Sequence, residues 1–258
     1  EMSFNSSLYS NGRYDFDRIS RLKVKLDNIP LIRFWELQPA VTFQAQNPQY
    51  DMLLAQDKSS KGNKSFLLVK HRYWFERYAS LPFQTREMAF YEFILPTKPC
   101  RFFMDVDGKP EEGLTKEEFL NTHISSIITE LGKILKIDVQ RPTILEASTS
   151  KKLSFHLIFT DVICKGPGAC GFLLEETNLI ERFPWIDMSV YSNGRCMRLM
   201  NSAKWGKKNP FVLHSPSNCR AEDTYATIWS MKNKTIVYDK EPEISKDAIR
   251  RIPKKRKR

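Results

Sequence analysis

Two carboxylates spaced two residues apart at the end of an aromatic run are the first chemistry the chain offers: Arg101-Phe102-Phe103-Met104-Asp105-Val106-Asp107-Gly108. The apolar lead and the closing glycine predict a buried strand ending at a turn. Strand side chains alternate faces, so Asp105 and Asp107 point one way while Met104 and Val106 point the other. Like charges this close are unfavourable unless a cation lies between them, and oxygen ligands of this kind suit a hard divalent ion. The same pair also serves as a plain solvated rim, so the rest of the chain must decide between the two.

Two further stretches carry matching chemistry. In Leu153-Ser154-Phe155-His156-Leu157-Ile158-Phe159, Ser154 and His156 share one strand face, and Lys151 and Lys152 stand just before them. Hydroxyl, imidazole and ammonium can converge there on an anion; a buried histidine bonded to a neighbour is the plainer alternative. From Trp185 to Met200, Asn193-Gly194 lies between two apolar-rich runs and predicts a type I′ hairpin. In that register Ser192 opposes Arg195, Ser189 opposes Arg198, and Asp187 lies diagonal to Arg198 on the same face. The bland form of this pairing is an exposed cross-strand salt bridge worth ~0.2–1 kcal/mol. Lys204, Lys207 and Lys208 then flank Trp205, a basic-aromatic group suited to a phosphate backbone and equally ordinary for a surface loop.

Taken together, Asp105, Asp107 and Asp187 can ligate a divalent metal, while Lys152, Ser154, His156, Arg198 and Lys204 supply donors for phosphate oxygens. A metal-bound nucleoside triphosphate needs both halves, and nucleotidyl transfer by two metal ions requires no protein nucleophile. At these residues the chain resembles the archaeo-eukaryotic primase superfamily, most closely its primase-polymerase branch, which is related to the pox- and herpesvirus-type primases. The resemblance covers residues 66 to about 204. It rests on the joint order and spacing of Phe103-Met104-Asp105-Val106-Asp107, of the Lys152-to-Phe159 motif, and of Asp187-Met188-Ser189-Val190-Tyr191 continuing through Arg195, Arg198, Ser202 and Lys204.

The resemblance implies a primase-type α/β catalytic core with two mixed-sheet modules, an N-terminal α/β module and an RRM-like module, and an active site in the cleft between them. It implies residues 1–85 for the first module, 86–240 for the catalytic module with its three motifs, and 241–258 for a basic tail. Asp105, Asp107 and Asp187 would hold Mg2+ or Mn2+. Ser154, His156, Lys152, Arg198, Lys204 and Arg195 would meet the nucleotide, with Tyr91 near its sugar. The expected function is a DNA primase, a DNA-directed polymerase, or both, acting on single-stranded DNA template and primer. Expected partners are other replication proteins or a zinc-binding module, since no Cys/His set for zinc occurs in this chain. Departures are Asp107, where the branch often has glutamate, and Gly194 and Cys196, where larger polar residues are usual. The alternatives are an extending or lesion-bypass polymerase that does not prime, a noncatalytic nucleic-acid-binding subunit and, more distantly, a metal-dependent nuclease.

Several elements must position these residues. Apolar and aromatic residues gather around Trp35, residues 46–64 read as a polar surface loop, and 66–69 as a short buried strand. Residues 71–78 read as a helix whose aromatic stripe is core, and 91–95 as a strand. Thr115 with Glu118 predicts a capping box ahead of a helix carrying Phe119, Leu120, Ile124, Ile127, Ile128, Leu131, Ile134 and Leu135 at helical spacing, with His123 structural beside them. Strands follow at 143–147 and 153–159, and strands alternating with a long helix point to an α/β architecture. Residues 1–30 give no firm placement.

Composition bounds the remainder. The 258 residues are 41% hydrophobic and 12% aromatic, enough for one large core or two modest ones. No apolar run reaches the ~18 to 20 residues of a membrane span. Five scattered cysteines without a CxxC pair read as reduced thiols, as expected inside a cell. Of these, Cys164 and Cys170 bracket a Lys-Gly-Pro-Gly loop without a partner pair for a metal. Arg250, Arg251, Lys254, Lys255, Arg256, Lys257 and Arg258 carry seven of the net +11 charges, leaving +4 for the body. That basic cluster points to the nucleus as readily as to a solvated tail, with the mitochondrion or a viral replication site as other locations.

Overall fold

The computed structural model describes residues 31–77, 89–109, 115–192, 195–214 and 219–240. It is a mixed α/β structure built on two antiparallel sheets. The first takes β1 (Leu31–Phe34), β2 (Met52–Asp57), β3 (Lys64–Val69), β4 (Phe90–Phe93) and β8 (Cys196–Arg198) in the order β1-β3-β2-β4-β8. Alternation sorts its side chains: Leu31, Met52, Leu54, Leu67, Val69 and Phe90 pack with Trp74 of α2 (His71–Arg77). On the opposite face Ile32, Leu53, Leu68 and Phe93 are covered by α1 (Leu37–Gln46) through Ala40.

The second sheet runs β5-β7-β6-β9, from β5 (Cys100–Gly108), β6 (Thr143–Glu146), β7 (Leu153–Cys164) and β9 (Val212–Leu213). One of its faces is apolar, because Phe102, Met104 and Val106 of β5 stand opposite Phe159, Leu157 and Phe155 of β7. Against it lies a helical stretch that begins as α3 (Lys116–Glu118), widens into a π-helical turn (Phe119–His123) and continues as α4 (Ile124–Leu135). Its stripe of Phe119, Leu120, Ile124, Ile127 and Leu131 is buried in the core, each such side chain contributing ~1.5–3 kcal/mol. The Phe119 and Phe155 rings stack 4.9 Å apart. Thr115 accepts the Glu118 N–H at 3.0 Å, so the predicted cap opens the helix. His123 packs among Phe119, Phe183 and Trp185, a structural place.

The opposite face of this sheet carries Asp105 and Asp107 beside His156 and Ser154, and it looks toward the first sheet through β8 and Phe211. Residues 220–227 fasten the two sheets to each other. The buried Glu92 of β4 accepts from the Ala226 and Thr227 amides, both at 2.9 Å, and from the Thr227 hydroxyl at 2.8 Å. From β5, Arg101 donates to the carbonyls of Glu222 at 2.5 Å and Tyr225 at 2.8 Å.

Four expectations need correction. Residues 46–64 are not one loop: Met52-Leu53-Leu54-Ala55 lies inside β2, wholly buried, because its apolar run pairs on both sides with β3 and β4. The sheets are antiparallel in every described ladder rather than mixed, parallel pairing being confined to the isolated bridges Cys164–Tyr238 and Met200–Phe211. The division at residue 85 does not follow the sheets, since β4 and β8 complete the first one. Asn193-Gly194 lies outside the described residues, and the expected pairing of Ser189 with Arg198 is not made. Met188–Tyr191 is a 3-10 helix, and β8 pairs instead with β4. Residues 1–30 and the basic tail also lie outside the described residues. The five cysteines are free, with the Cys100 and Cys170 sulfurs 3.7 Å apart in the core. Among the described residues no helix is long and apolar enough to cross a membrane.

Candidate active site

Asp105 and Asp107 reach the same face because they are two residues apart on β5. Asp187 arrives by backbone pairing. Residues 185–187 lie along the free edge of β5, where the Asp187 amide donates to the Asp105 carbonyl at 2.8 Å and the Asp107 amide donates to the Trp185 carbonyl at 2.9 Å. Gly108 permits this approach, since a Cβ there would stand 3.0 Å from the Trp185 Cβ. Beyond Asp187 the chain is fixed by Tyr191, whose hydroxyl donates to the Phe103 carbonyl at 2.6 Å.

Asp105 feels the other two carboxylates. Burial pushes the Asp105 carboxyl up to about 7, and the neighbouring charges of Asp107 and Asp187 add to the effect. Asp107 behaves oppositely: burial would raise it, but Lys152 at 2.5 Å and the Ser154 hydroxyl at 2.7 Å hold it below the usual carboxylate value. The Asp187 side chain accepts the Ser189 amide at 2.8 Å and so caps the 3-10 helix. Among the described residues no group of three or more His, Cys, Asp or Glu side chains is placed to hold a metal ion, and Asp107 and Asp187 are engaged with Lys152, Ser154 and the Ser189 amide. Carboxylate oxygens are nonetheless the donors that a hard divalent cation takes, and such an ion would offset the cost of keeping Asp105 ionised in a buried place beside Asp107 and Asp187.

His156 stands opposite Asp105 on β7, its Nε2 3.6 Å from Oδ1. Burial and the adjacent Arg198 push the imidazole down to about 3, so it is neutral and acts as a hydrogen-bonding group rather than a cation. Phe211 covers it at 3.7 Å, and the Arg198 guanidinium lies 4.7 Å over the same phenyl ring. Arg198 comes from the first sheet, opposite Tyr91.

Next to the acids opens a groove of about 480 Å³, lined by Lys152, Ser154, Arg198, Lys204, Lys207 and Lys208 together with Ala147, Thr149 and Asn209. Cations dominate it and no carboxylate lines it. Of the residues expected to meet a nucleotide, Lys152, Ser154, Arg198 and Lys204 line this groove, and His156 lies behind it under Phe211. Tyr91 and Arg195 are not among the lining residues. The Tyr91 hydroxyl donates to Asp57 at 2.8 Å, with the Lys64 ammonium 3.6 Å from its ring centroid, and the exposed Arg195 donates to the Ser192 hydroxyl at 2.9 Å. Sequence reasoning overlooked Phe211 and Asp57. Phe211 heads a short apolar run that had a strand signal, whereas nothing local marked Asp57 as the partner of Tyr91.

The crowding around Asp105 has a measurable consequence. Its folded-state value near 7 exceeds the ordinary 3.8, so between those limits the folded chain binds more protons than the unfolded one. In divalent-free buffer this group therefore contributes stability at low pH that is lost as pH rises through about 7. Asp107, shifted down, contributes in the opposite sense, and its share is lost only below about 4. Urea midpoints at about pH 5 and about pH 8 are expected to differ less in Asp105→Asn than in the wild type.

The sequence matches no protein-family profile and no curated protein.

Proposed function

We infer that the chain is a template-directed nucleotidyltransferase with a primase-type core, joining nucleotides on single-stranded DNA. The observation that carries this reading is the juxtaposition of three carboxylates, set side by side by β5 and the segment paired to its edge, with a groove lined by cations from both sheets. An acid cluster alone suits any hard ion, and a basic groove alone suits any polyanion. Side by side they suit a divalent ion bound to a polyphosphate.

In this reading Asp105, Asp107 and Asp187 would hold Mg2+ or Mn2+, which when bound would supply Lewis acidity toward the 3′-hydroxyl and the pyrophosphate. The protein's share is positioning and charge. Lys152, Arg198 and Lys204 would hold the phosphate oxygens, Ser154 and the neutral, buried His156 would support Asp107 and Asp105 from the strand beside them, and Tyr91 and Arg195 would meet the nucleotide only from outside the groove, Tyr91 toward its sugar. The 3′-oxygen attacks the α-phosphorus, the bond to the β-phosphate breaks, and pyrophosphate leaves as the hydroxyl proton passes to solvent. Template and primer strands run past the lysines, and a zinc-binding module or other replication proteins assist initiation. The basic tail directs the protein to the nucleus.

A single-stranded template without primer, supplied with nucleoside triphosphates and either metal, is expected to yield dinucleotides and longer products. Products only when a primer is added would make the chain an extending or lesion-bypass polymerase. DNA binding with no product under any condition would make it a noncatalytic subunit.

A further inference from the structure

We propose that Lys152 is an exchangeable cation on Asp107: a triphosphate draws its ammonium into the groove, the carboxylate is released to a divalent ion, and the two ligands bind cooperatively. The proposal rests on the nucleotidyl-transfer reading and adds to it a coupling between the two halves of the site.

Both oxygens of Asp107 are engaged, Oδ2 by the Lys152 ammonium at 2.5 Å and Oδ1 by the Ser154 hydroxyl at 2.7 Å. A divalent ion cannot take Oδ2 while an ammonium sits on it, because the two cations would repel at contact distance. The ammonium needs somewhere to go, and the groove that Lys152 itself lines is already crowded with Arg198, Lys204, Lys207 and Lys208. Only an anion in that groove makes the move favourable. A polyphosphate supplies the oxygens, and the released carboxylate then meets the ion that accompanies it.

The local structure allows the exchange at low cost. Lys152 closes a turn between β6 and β7, pinned by reciprocal backbone hydrogen bonds with Thr149 at 2.8 and 3.3 Å. Its stem is therefore fixed while its head is free to swing, the Lys152 and Asp107 side chains being 45% and 32% exposed. An ion pair this exposed is weak enough to be exchanged. Thermodynamic linkage then requires each ligand to raise the affinity for the other by the same factor.

The test compares the full chain with Lys152→Met and Lys204→Met, Lys204 being a second cation whose charge acts on Asp107 without a direct contact. Free Mn2+ is followed by electron paramagnetic resonance in the absence of nucleotide. Lys152→Met is expected to bind Mn2+ about 5- to 10-fold more tightly than wild type, and Lys204→Met to change by less than about twofold. With a fluorescent nucleoside triphosphate, the gain in affinity on adding Mn2+ is expected to be smaller in Lys152→Met than in wild type. Equal tightening in both variants would mean a general field effect and overturn the exchange. Mn2+ binding of equal strength in all three proteins would overturn the coupling and leave the metal site standing. No Mn2+ binding in any of them would overturn both.

Discussion

Asp105→Ala combined with Asp107→Ala is expected to reduce template-directed synthesis by about 10³-fold or more, the scale on which losing direct stabilisation of developing charge is felt. The fold is expected to survive. Burial, with Asp107 and Asp187 nearby, disfavours the ionised Asp105, so its removal relieves that cost at neutral pH. Asp107 gives up an ion pair with a half-exposed lysine, a contact worth ~0–1 kcal/mol. The double variant should therefore keep its urea midpoint at neutral pH, or raise it slightly, while nucleotide incorporation on a primed template disappears. Incorporation at the wild-type rate by a folded double variant would refute the metal assignment. The contrast matters because a purely structural acid cluster would behave the other way, losing stability and leaving the chemistry untouched.

Glu92→Ala is expected to destabilise the protein by ~3–5 kcal/mol, the range for removing one partner of a buried charged network. Glu92 is only 3% exposed and accepts three hydrogen bonds, from the Ala226 amide and from the Thr227 amide and hydroxyl. Truncation would leave those donors without their acceptor and would strip the buried Arg101 of a nearby negative charge. Glu92→Gln keeps the shape and part of the bonding, so it should cost less than half as much. Equilibrium urea unfolding of the three proteins measures both figures. The same change should weaken nucleotide binding, since Glu92 lies on β4 beside Tyr91, the strand that carries β8 and hence Arg198.

Where a signal was local and periodic, the chain announced its own structure. The strand of Asp105 and Asp107, the strand of Ser154 and His156, and the helix opened by Thr115 all follow from alternation, helical spacing or a cap, and all three form. Partner choice was not legible. Asn193-Gly194 is the strongest short-range hairpin signal, yet the segment before it is held by Asp187 capping a 3-10 helix and by residues 185–187 lying against β5. The segment after it finds β4, about a hundred residues away in sequence, and no local pattern encodes that distance. β2 escaped notice for a related reason: its four apolar residues are outnumbered by polar neighbours, and only two flanking strands make the run a sheet centre. The acids were found because they stand in two motifs, Asp105 and Asp107 in one and Asp187 in the other. Phe211, which lies over His156 and beneath Arg198, was missed because a phenylalanine in an apolar run carries no chemical label.

The splice of residues 185–187 onto the edge of β5 rests on main-chain bonds between Asp187 and Asp105 and between Asp107 and Trp185. What those bonds register is chain length, not side-chain identity. Neighbouring side chains can therefore be exchanged over a wide range without shifting one acid against another, provided Gly108 still leaves room for Trp185. A single inserted or deleted residue is another matter. Between Asp105 and Asp107 it would turn one carboxylate through the pleat toward the helix-covered side, and within 185–187 it would carry Asp187 one step out of step with its neighbours. Drift by substitution is open to this stretch, and drift by indel is closed.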